Sequence, residues 1–373
     1  MMVRMTTLGI ASAGAFLLFG AVIAVSVVRA EEPRGEGRQG SFSWKQEKDP
    51  ATSWLIWRLS YDDPGDPRKS QSIRICPDGG ANLFSYTLGE TELLRAPTEL
   101  KALQGRRGAG ILVLYPTPNR VRDGKFAFEG REFKFSDDGQ TTIHGLALSR
   151  PWNSAPPEFV MTEGAVSGVA VEAWMDFEPG SSQFERFPIR HRLALRYSLT
   201  ASGLRADVRI KNRDSARLPF GFALHPYFRL LGAREETFLQ VPAEKKMEAT
   251  PDLLPTGKLL ALDGAPFDLR QPRKLSELAL DDVFLGMSSA KTAGYEARDA
   301  GLALTLQASD DFTHVVVYTP KDRPFFCIEN QTCSTDAHNL YARGLKEESH
   351  LLVIEPGGDW TGWVEFRPRW ISK

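Results

Sequence analysis

The sequence predicts an all-β protein, built as one large β-sandwich. Short runs rich in apolar, β-branched and aromatic residues recur along the chain, separated by clusters of Gly, Pro, Asp and Asn. Beyond residue 50, no stretch longer than about ten residues keeps the i, i+3, i+4 apolar spacing of an amphipathic helix free of Pro or Gly. Because no compositional break occurs between residues 50 and 373, one large sandwich is favoured over two linked domains.

The composition supports a large core and excludes several classes of function. Of the 373 residues, 42% are hydrophobic and 25% are charged, which rules out a disordered, collagen-like or disulfide-scaffold protein. Lys and Arg total 46 against 47 for Asp and Glu, so the net charge is -1. A chain this close to neutral has no overall basic field to attract nucleic acid or an anionic membrane surface.

The amino-terminal residues predict export from the cytoplasm. No charged residue occurs from Met5 to Val28, Arg4 precedes this run, and Ala30 ends a small-residue site of the kind that signal peptidases cleave. The run exceeds the roughly 7 to 15 residues of a signal core and reaches the roughly 20 that span a bilayer. Residues 1–30 are therefore predicted to be a signal peptide or an N-terminal membrane anchor. We expect a periplasmic or extracellular location, with the membrane as a partner only through this segment.

A polar segment separates the export signal from the predicted domain. Residues 31–49 are polar and Gly-rich and are predicted to be a flexible linker, which leaves residues 50–373 as the folded domain. Gly35, Gly37 and Gly40 spell G-x-G-x-x-G, the dinucleotide-binding fingerprint. We reject that interpretation because the motif requires a preceding strand and a following helix, and neither is predicted here.

The strands are predicted from the runs between turn clusters. Residues 62–67, 77–80 and 321–324 combine Pro, which fixes φ, with Gly or Asp, which are typical of turns. The predicted strands cover residues 53–61, 71–76, 82–88, 110–115, 125–135, 169–176, 190–200, 204–211, 218–228, 237–241, 302–308, 313–319, 324–329 and 351–366.

One predicted strand carries a candidate catalytic histidine. Within residues 218–228, bulky apolar side chains alternate with Gly221, Ala223 and then His225, so the small residues and the imidazole share one face. Small residues beneath a single imidazole are typical of a strand that forms the floor of a ligand pocket. A half-buried histidine with its hydrogen bonds satisfied locally is the alternative.

Two further segments supply groups that can contact hydroxyls. Asn119 and Arg120 follow an apolar run that ends in Pro-x-Pro. Each alone is also an ordinary turn residue or surface cation. His144 precedes Gly145, and Trp152 follows shortly after. An indole can stack on a sugar ring, but Trp is also a common core residue.

Acidic residues complete the candidate site. Glu329 follows Phe-Phe-Cys-Ile and is expected to be partly desolvated, which raises its pKa and makes it a better base near neutral pH. A solvated Glu at a strand end is the alternative. Residues 330–332 also spell a glycosylation sequon, and a glycan there would obstruct the base. Asp281 and Asp282 lie among apolar residues. One interpretation is that one of the two binds a substrate hydroxyl, and the alternative is an Asx-turn or a surface loop.

Other kinds of chemistry have little support. The sequence beyond residue 30 contains no P-loop, H-E-x-x-H, G-x-S-x-G or C-x-x-C motif. Cys327, Cys333 and His338 suggest a metal site, but the wide spacing and missing ligands favour a structural role. Cys76 is the third cysteine, and three are too few for a disulfide framework. A bond between Cys327 and Cys333 is left open.

Taken together, the motifs resemble those of aldose 1-epimerases over roughly residues 50 to 370. They occur in that family's order: Pro-Thr-Pro-Asn119-Arg120, Gly124-Lys-Phe-Ala-Phe-Glu-Gly130, His144-Gly145, His225-Pro-Tyr-Phe228, Leu280-Asp281-Asp282-Val-Phe284 and Cys327-Ile-Glu329. The resemblance implies a large antiparallel β-sandwich, the galactose mutarotase-like supersandwich. It also implies a monosaccharide substrate and no metal or organic cofactor.

The resemblance also implies a role for each site residue. Glu329 matches the general base and His225 the general acid. His144, Asn119, Arg120 and Asp281 match residues that bind the sugar, with the register of Asp281 against Asp282 open by one place. Trp152 looks like an aromatic wall of the site.

These residues fit the chemistry of anomer exchange. Opening a pyranose hemiacetal removes a proton from the anomeric hydroxyl and adds one to the ring oxygen, so we expect one base and one acid on opposite sides of the ring. The predicted function is an isomerase that interconverts the α and β anomers of a free aldose of the glucose or galactose type. A non-catalytic sugar-binding module and a carbohydrate-active hydrolase or lyase stay open as alternatives. The preferred aldose and the oligomeric state are not predicted.

Overall fold

The computed structural model describes residues 35–105, 108–148 and 150–372. The predicted signal peptide or anchor, residues 1–30, lies outside the described residues. Within the described part of the chain, no helix has both the length and the apolar character needed to cross a bilayer.

Strands dominate the structure, which confirms the all-β prediction. In chain order they are β1 (Glu36–Gln39), β2 (Phe42–Lys48), β3 (Leu55–Tyr61), β4 (Gln71–Cys76), β5 (Asn82–Leu88), β6 (Thr91–Glu92), β7 (Ile111–Leu114), β8 (Arg120–Val121), β9 (Lys125–Phe128), β10 (Arg131–Lys134), β11 (Thr142–Ile143), β12 (Asn153–Ser154), β13 (Glu158–Thr162), β14 (Ala165–Phe177), β15 (His191–Thr200), β16 (Gly203–Asn212), β17 (Leu218–Phe220), β18 (Ala223–Arg229), β19 (Thr237–Gln240), β20 (Lys245–Ala249), β21 (Pro255–Ala261), β22 (Arg273–Lys274), β23 (Asp281–Leu285), β24 (Ala293–Ala297), β25 (Leu302–Ala308), β26 (His314–Tyr318), β27 (Phe325–Gln331), β28 (Leu352–Ile354) and β29 (Asp359–Trp370).

Helices are few and short in the described residues. The α-helices are α1 (Ser182–Arg186), α2 (Ala337–Ala342) and α3 (Lys346–Ser349). Single 3-10 turns cover Pro67–Lys69, Pro77–Gly79, Leu100–Gly105, Arg122–Gly124, Arg234–Glu236 and Leu275–Glu277.

Two large antiparallel sheets form the sandwich. The first has 13 strands in the order β1-β2-β3-β4-β5-β7-β18-β27-β26-β23-β20-β21, with β6 added beside β5. The second has 10 strands in the order β12-β14-β15-β16-β29-β25-β24-β19-β22, with β13 added beside β14. The main hydrophobic core draws side chains from both sheets, for example Leu59 and Ile73 from the first and Leu195 and Val208 from the second. This arrangement confirms the predicted large antiparallel sandwich.

The start of the folded unit corrects the linker prediction. Residues 36–48 form the hairpin β1–β2 rather than a flexible spacer, and β2 continues the first sheet by pairing with β3. Two of the glycines that resembled a dinucleotide motif serve this hairpin. Gly40 takes a left-handed φ of +56° in the turn, and a Cβ at Gly37 would lie 2.5 Å from the indole nitrogen of Trp44. Glycine at these two positions therefore permits the turn and the close packing of Trp44.

A second correction concerns the strand predicted over residues 218–228. It is broken into β17, which pairs with β28, and β18, which belongs to the first sheet. Gly221 lies at the break, where a Cβ would meet the Cys333 Sγ at 2.2 Å and the Pro118 Cδ at 2.8 Å. The thiol and the proline ring fill the space above Gly221, so this glycine allows close packing and does not open a ligand pocket.

Candidate active site

Two neighbouring strands bring the predicted acid and base together. Strand β18 pairs antiparallel with β27, with Ala223 opposite Gln331 and Tyr227 opposite Cys327. His225 and Glu329 lie midway between these two pairs, so their side chains project next to each other from the same face of the sheet. We call this face the site face; its residues on these two strands are Ala223, His225, Tyr227, Cys327, Glu329 and Gln331.

The alternation of both strands explains why the site face is separate from the main core. Leu224 and Phe228 of β18 and Phe326 and Ile328 of β27 point into the main core. On the site face, Ala223, Tyr227 and Cys327 pack into a separate small apolar cluster. Its other members are Leu112 and Leu114 of β7, Leu148, Phe325 and Tyr318. The acid and base are therefore held on the strands of a packed sheet, which fixes their positions.

His225 and Glu329 are in contact. The Nε2 atom of His225 lies 3.2 Å from Oε1 of Glu329, and the two side chains are 5% and 2% exposed. We expected the acid and base on opposite sides of a sugar ring, and the structure corrects this because it sets them side by side on adjacent strands. The Nδ1 atom of His225 is buried and has no hydrogen-bond partner among the described residues.

Burial determines the protonation of this pair. Burial raises the pKa of Glu329 well above its usual range, and the negative charge of Asp281 raises it further, while a hydrogen bond from Gln331 opposes the change. Burial also lowers the pKa of His225 well below its usual value, and His144 adds to the effect. Both shifts favour a pair that holds one proton over a wide pH range.

Two neighbours that our sequence analysis did not single out support the pair. The amide nitrogen of Gln331 donates a hydrogen bond of 3.1 Å to Oε2 of Glu329. The ring of Tyr227 stacks on the imidazole of His225, with centroids 4.4 Å apart and planes inclined by 8°. Both residues lie two positions from a predicted site residue on the same strand, so period-2 alternation could have indicated them.

Asn119, Arg120 and Asp281 form a second group beside the pair. The side-chain oxygen of Asn119 accepts hydrogen bonds from the Arg120 backbone N–H at 2.9 Å and from its guanidinium at 3.0 Å. The Arg120 guanidinium also lies 3.7 Å from the Asp281 carboxylate. Burial raises the pKa of Asp281, while the charge of Arg120 opposes this. Asn119 therefore orients Arg120, and Arg120 stabilises a carboxylate that is close enough to affect Glu329.

The structure distinguishes Asp281 from Asp282. Both begin strand β23, which excludes the turn or loop that we considered, and adjacent strand residues point to opposite faces. Asp281 faces Arg120, whereas Asp282 forms an ion pair of 2.5 Å with Lys246. Of the two, Asp281 is thus the one directed to the candidate site.

A loop with unusual backbone geometry carries His144. Both His144 and Gly145 adopt left-handed φ values, +68° and +71°. The carbonyl of Asn119 accepts the His144 N–H at 2.8 Å, and a Cβ at Gly145 would lie 2.3 Å from the carbonyl oxygen of Tyr115. Glycine therefore permits the close approach of this loop to the end of β7. The His144 ring lies edge-on to the His225 ring, with centroids 5.3 Å apart.

One set of side chains on the site face has the composition of a metal site. The ligand atoms of His225, Cys327 and Glu329 all lie within 4.8 Å of one another. This set differs from the one that the sequence suggested. His338 instead stacks on Phe126, with ring centroids 4.0 Å apart.

Both the sequence and the fold are similar to those of known proteins. A sequence model of aldose 1-epimerases matches residues 72–367. The chain belongs to the aldose 1-epimerase family. It is 23% identical over 250 residues to the protein YihR of Escherichia coli K12, an alignment that covers 66% of this chain and 74% of that protein. It is 24% identical over 164 residues to the galactose mutarotase of Bos taurus, which covers 43% of this chain and 44% of the mutarotase.

A solved structure has the same fold. A galactose mutarotase-like protein from Clostridium acetobutylicum superposes with a TM-score of 0.75 at 19% identity, covering 88% of this chain and 98% of the other. The likeness confirms the predicted galactose mutarotase-like fold. The sequence model over residues 72–367 confirms the family that the order of motifs indicates.

Other sequence predictions for this aldose 1-epimerase family member have structural outcomes. Trp152 lies in the main core, where its indole N–H donates to the Ala147 carbonyl at 3.3 Å, and its role as an aromatic wall stays a prediction.

The sequon residues 330–332 are buried, so a glycan has no access there. Cys327 and Cys333 are both buried and free, which excludes the disulfide that was left open.

Proposed function

We propose that this protein interconverts the α and β anomers of a free aldose of the glucose or galactose type. The contact between His225 and Glu329 is the observation that carries the proposal. In a pyranose, the anomeric hydroxyl and the ring oxygen are bonded to the same carbon, so a base and an acid that serve both oxygens must be neighbours. A pair separated by 3.2 Å meets this requirement.

The reaction needs only the one proton that the pair holds. Burial favours this proton on Glu329, and the reaction starts when it passes to His225 across their contact. Glu329 as carboxylate then takes the proton of the anomeric hydroxyl while protonated His225 gives one to the ring oxygen, and the ring opens to the aldehyde. The bond between the first two carbons then rotates, and closure on the other carbonyl face gives the other anomer. In the closing step the groups exchange roles, so the pair is regenerated and no external acid or base is consumed.

The polar group beside the pair fits sugar hydroxyls. Arg120 donates hydrogen bonds and Asp281 accepts them, and their side chains are 23% and 32% exposed, far more than those of the acid and base. Asn119 and His144 lie next to Arg120 and His225, respectively. We therefore propose that a sugar enters with its anomeric centre toward the buried pair and its hydroxyls toward Arg120 and Asp281.

The same distance argues against glycoside hydrolysis. Glycosidases use two carboxyl groups separated by about 5–5.5 Å when they retain configuration and about 6.5–9.5 Å when they invert it. Here the base is paired with an imidazole in direct contact, which leaves no space for a glycosidic bond between the two groups.

Polarimetry with freshly dissolved α-D-glucose and α-D-galactose tests the proposal. The protein should accelerate the change in optical rotation, and Glu329→Gln should reduce the rate about a hundredfold to ten-thousandfold, because it removes the base without changing side-chain size. Glu92→Gln is the matched control, since desolvation also raises the pKa of the Glu92 carboxyl, which lies among Ser85, Tyr86 and Leu94. That variant should keep the wild-type rate.

Three outcomes would contradict the proposal. Wild-type rates in Glu329→Gln would remove this residue from the mechanism. Sugar binding with no acceleration for any aldose in an NMR anomer-exchange panel would indicate a non-catalytic binding module. Cleavage of an oligosaccharide would indicate a hydrolase or lyase.

A further inference from the structure

A free cysteine lies next to the acid and base. Tyr227 of β18 is paired with Cys327 of β27. Each lies two residues along its strand from His225 or Glu329, respectively. The Sγ of Cys327, the imidazole nitrogen of His225 and a carboxylate oxygen of Glu329 all lie within 4.8 Å of one another, and all three residues are buried. The arrangement gathers one nitrogen, one sulfur and one oxygen ligand at a single place on the site face.

These ligand types suit a thiophilic divalent cation. Zn²⁺ binds Cys sulfur at about 2.3 Å, His nitrogen at about 2.0–2.1 Å and carboxylate oxygen at about 2.0–2.2 Å, in tetrahedral geometry. Ligand atoms on such an ion are about 3.3–3.8 Å apart. His225 and Glu329 are already at 3.2 Å, so only Cys327 must approach by rotation of its side chain. Three protein ligands leave the fourth position of the ion open.

The surroundings indicate an inhibitory site rather than a resident cofactor. Histidines of dedicated metal sites donate their second ring N–H to an acceptor, which increases affinity about tenfold to a hundredfold. Nδ1 of His225 has no such acceptor among the described residues. Gln331 and Tyr227 do orient the carboxylate and the imidazole, so the ligands are in place without the contact that a tight site requires.

We propose that His225, Cys327 and Glu329 bind one thiophilic divalent cation, Zn²⁺ above all, and that the bound ion blocks the site. The blocking half of this inference rests on the proposed function, because the ion occupies the lone pairs with which His225 and Glu329 exchange protons. A sugar and the ion therefore compete for the same two side chains.

Metal binding is measured first, without reference to activity. Co²⁺ replaces Zn²⁺ in such sites, and its bond to sulfur gives a charge-transfer absorption in the near ultraviolet. The untagged full chain, freed of metal with a chelator, should show this absorption with one Co²⁺ per chain, and Zn²⁺ should displace it. Cys327→Ser should abolish the absorption and weaken Zn²⁺ binding about tenfold or more, because an alcohol is a poor zinc ligand.

Cys333→Ser is the matched control, since Cys333 is also buried and free but packs against Gly221. It should keep the wild-type absorption and affinity. Absence of a sulfur-to-cobalt band in the wild type, or its persistence in Cys327→Ser, would overturn the inference.

Inhibition is measured second. Zn²⁺ should slow mutarotation, a chelator should restore it, and higher aldose concentrations should require more Zn²⁺ for the same inhibition. Cys327→Ser should need about tenfold or more Zn²⁺, relative to its own metal-free rate. If the chain binds metal through Cys327 but accelerates no aldose, the proposed function fails and the metal site stands. Activity that persists with the site saturated by Zn²⁺ would refute the blocking role alone.

Discussion

Asp281 and Asp282 are adjacent carboxylates in very different surroundings. Asp281 faces Arg120 at 3.7 Å and is close enough for its charge to raise the pKa of Glu329. Asp282 pairs with Lys246, whose ammonium also lies over the ring of Phe267 at 4.4 Å. Under the proposed function, Asp281 is the carboxylate that accepts a hydrogen bond from a sugar hydroxyl, whereas Asp282 forms a local ion pair with Lys246.

Substitution of each aspartate by asparagine separates these two roles. Asp281→Asn should raise KM for the aldose about tenfold to a hundredfold, since a hydrogen bond to a charged group contributes about 1.5–3 kcal/mol. Asp282→Asn, the control, should leave KM unchanged and lower the free energy of unfolding by about 1 kcal/mol or less, because its ion pair is only partly buried. Steady-state mutarotation and urea unfolding measure both effects. A KM effect in Asp282→Asn instead would show that the register is wrong by one residue.

The pH dependence of activity follows from the acid and base themselves. The pKa of His225 lies well below the usual 6.5, so a second proton does not enter the pair near that pH. The raised pKa of Glu329 keeps the first proton in place as pH rises. We expect kcat/KM to stay constant as pH falls through 6.5, within the range of about pH 5 to 8 where an ordinary histidine titrates.

Polarimetric rates corrected for spontaneous mutarotation at each pH provide this profile. A loss of kcat/KM with a midpoint near 6.5 would show that the imidazole titrates as an exposed group does, and that its burial does not govern catalysis.

Single residues differ in how far the sequence predicts them. Glu329 can be found because a carboxylate directly after an apolar run is conspicuous. His225 can be found because it follows small residues on one strand face, although Gly221 in fact serves close packing. Gln331 was noticed only as part of a sequon, since a neutral amide gives no such signal and its role depends on a hydrogen bond to Glu329. Whether Asp281 or Asp282 faces the site depends on strand register, which a one-residue slip inverts and which the local sequence does not specify.

At the level of elements, the break between β17 and β18 connects the site to the packing behind it. Strand β17 pairs with β28 outside the first sheet, and the next strand, β18, belongs to the first sheet. The chain crosses between them at Gly221, against Cys333 and Pro118. The position of His225, four residues later, therefore depends on close packing at a glycine.

Gly221→Ala should lower the free energy of unfolding by about 1–3 kcal/mol, because its Cβ would overlap the Cys333 Sγ. Cys333→Ala in the same chain removes that sulfur and should recover part of the loss, leaving the contact with Pro118. Gly65→Ala is the control, since a Cβ there would lie 3.7 Å from the nearest atom, Oδ1 of Asp63. Urea unfolding of the wild type, the two single variants, the double variant and the Gly65→Ala control measures the coupling. Strict additivity of the two substitutions would contradict the overlap.

Central strands were predictable and edge elements were not. The runs that became β4, β15 and β16 are apolar and regular because both of their neighbours are strands. No strand was predicted between residues 241 and 302, where the structure has β20 to β24. Strands β20–β22 lie at or near sheet edges and carry Lys, Arg and Pro, which are typical of protected edges and weaken the strand signal. The hairpin β1–β2 was mistaken for a linker for the same reason.

The whole molecule buries several histidines away from the site. Burial lowers the pKa of His191 to about 3, of His314 to about 3 and of His338 to about 4. His191 stacks on Phe177 at 4.0 Å, and its Nδ1 lies 2.7 Å from the Ile189 carbonyl. An unfolded histidine takes up a proton near pH 6.5, whereas this folded one stays neutral until about pH 3. Between those values the unfolded chain holds more protons, so the contribution of His191 to stability falls as pH falls.

His191→Phe should remove this contribution. The variant loses a hydrogen bond and is less stable at pH 7, but relative to the wild type it should gain about 2 kcal/mol between pH 7 and pH 5, since each pKa unit is worth about 1.4 kcal/mol. Urea unfolding of both proteins at the two pH values measures the difference. Parallel changes in the two proteins would contradict the assignment of a neutral buried His191.

The position of β29 has a consequence for biosynthesis. This strand, residues 359–370, is the last in chain order, yet it lies in the middle of the second sheet between β16 and β25. A ribosome that has made residues 1–350 has produced two half-sheets with unpaired edges facing each other. The second sheet can close only after residues 359–370 emerge. An interrupted chain therefore exposes unpaired strand edges, which promote aggregation, and does not form a smaller stable domain.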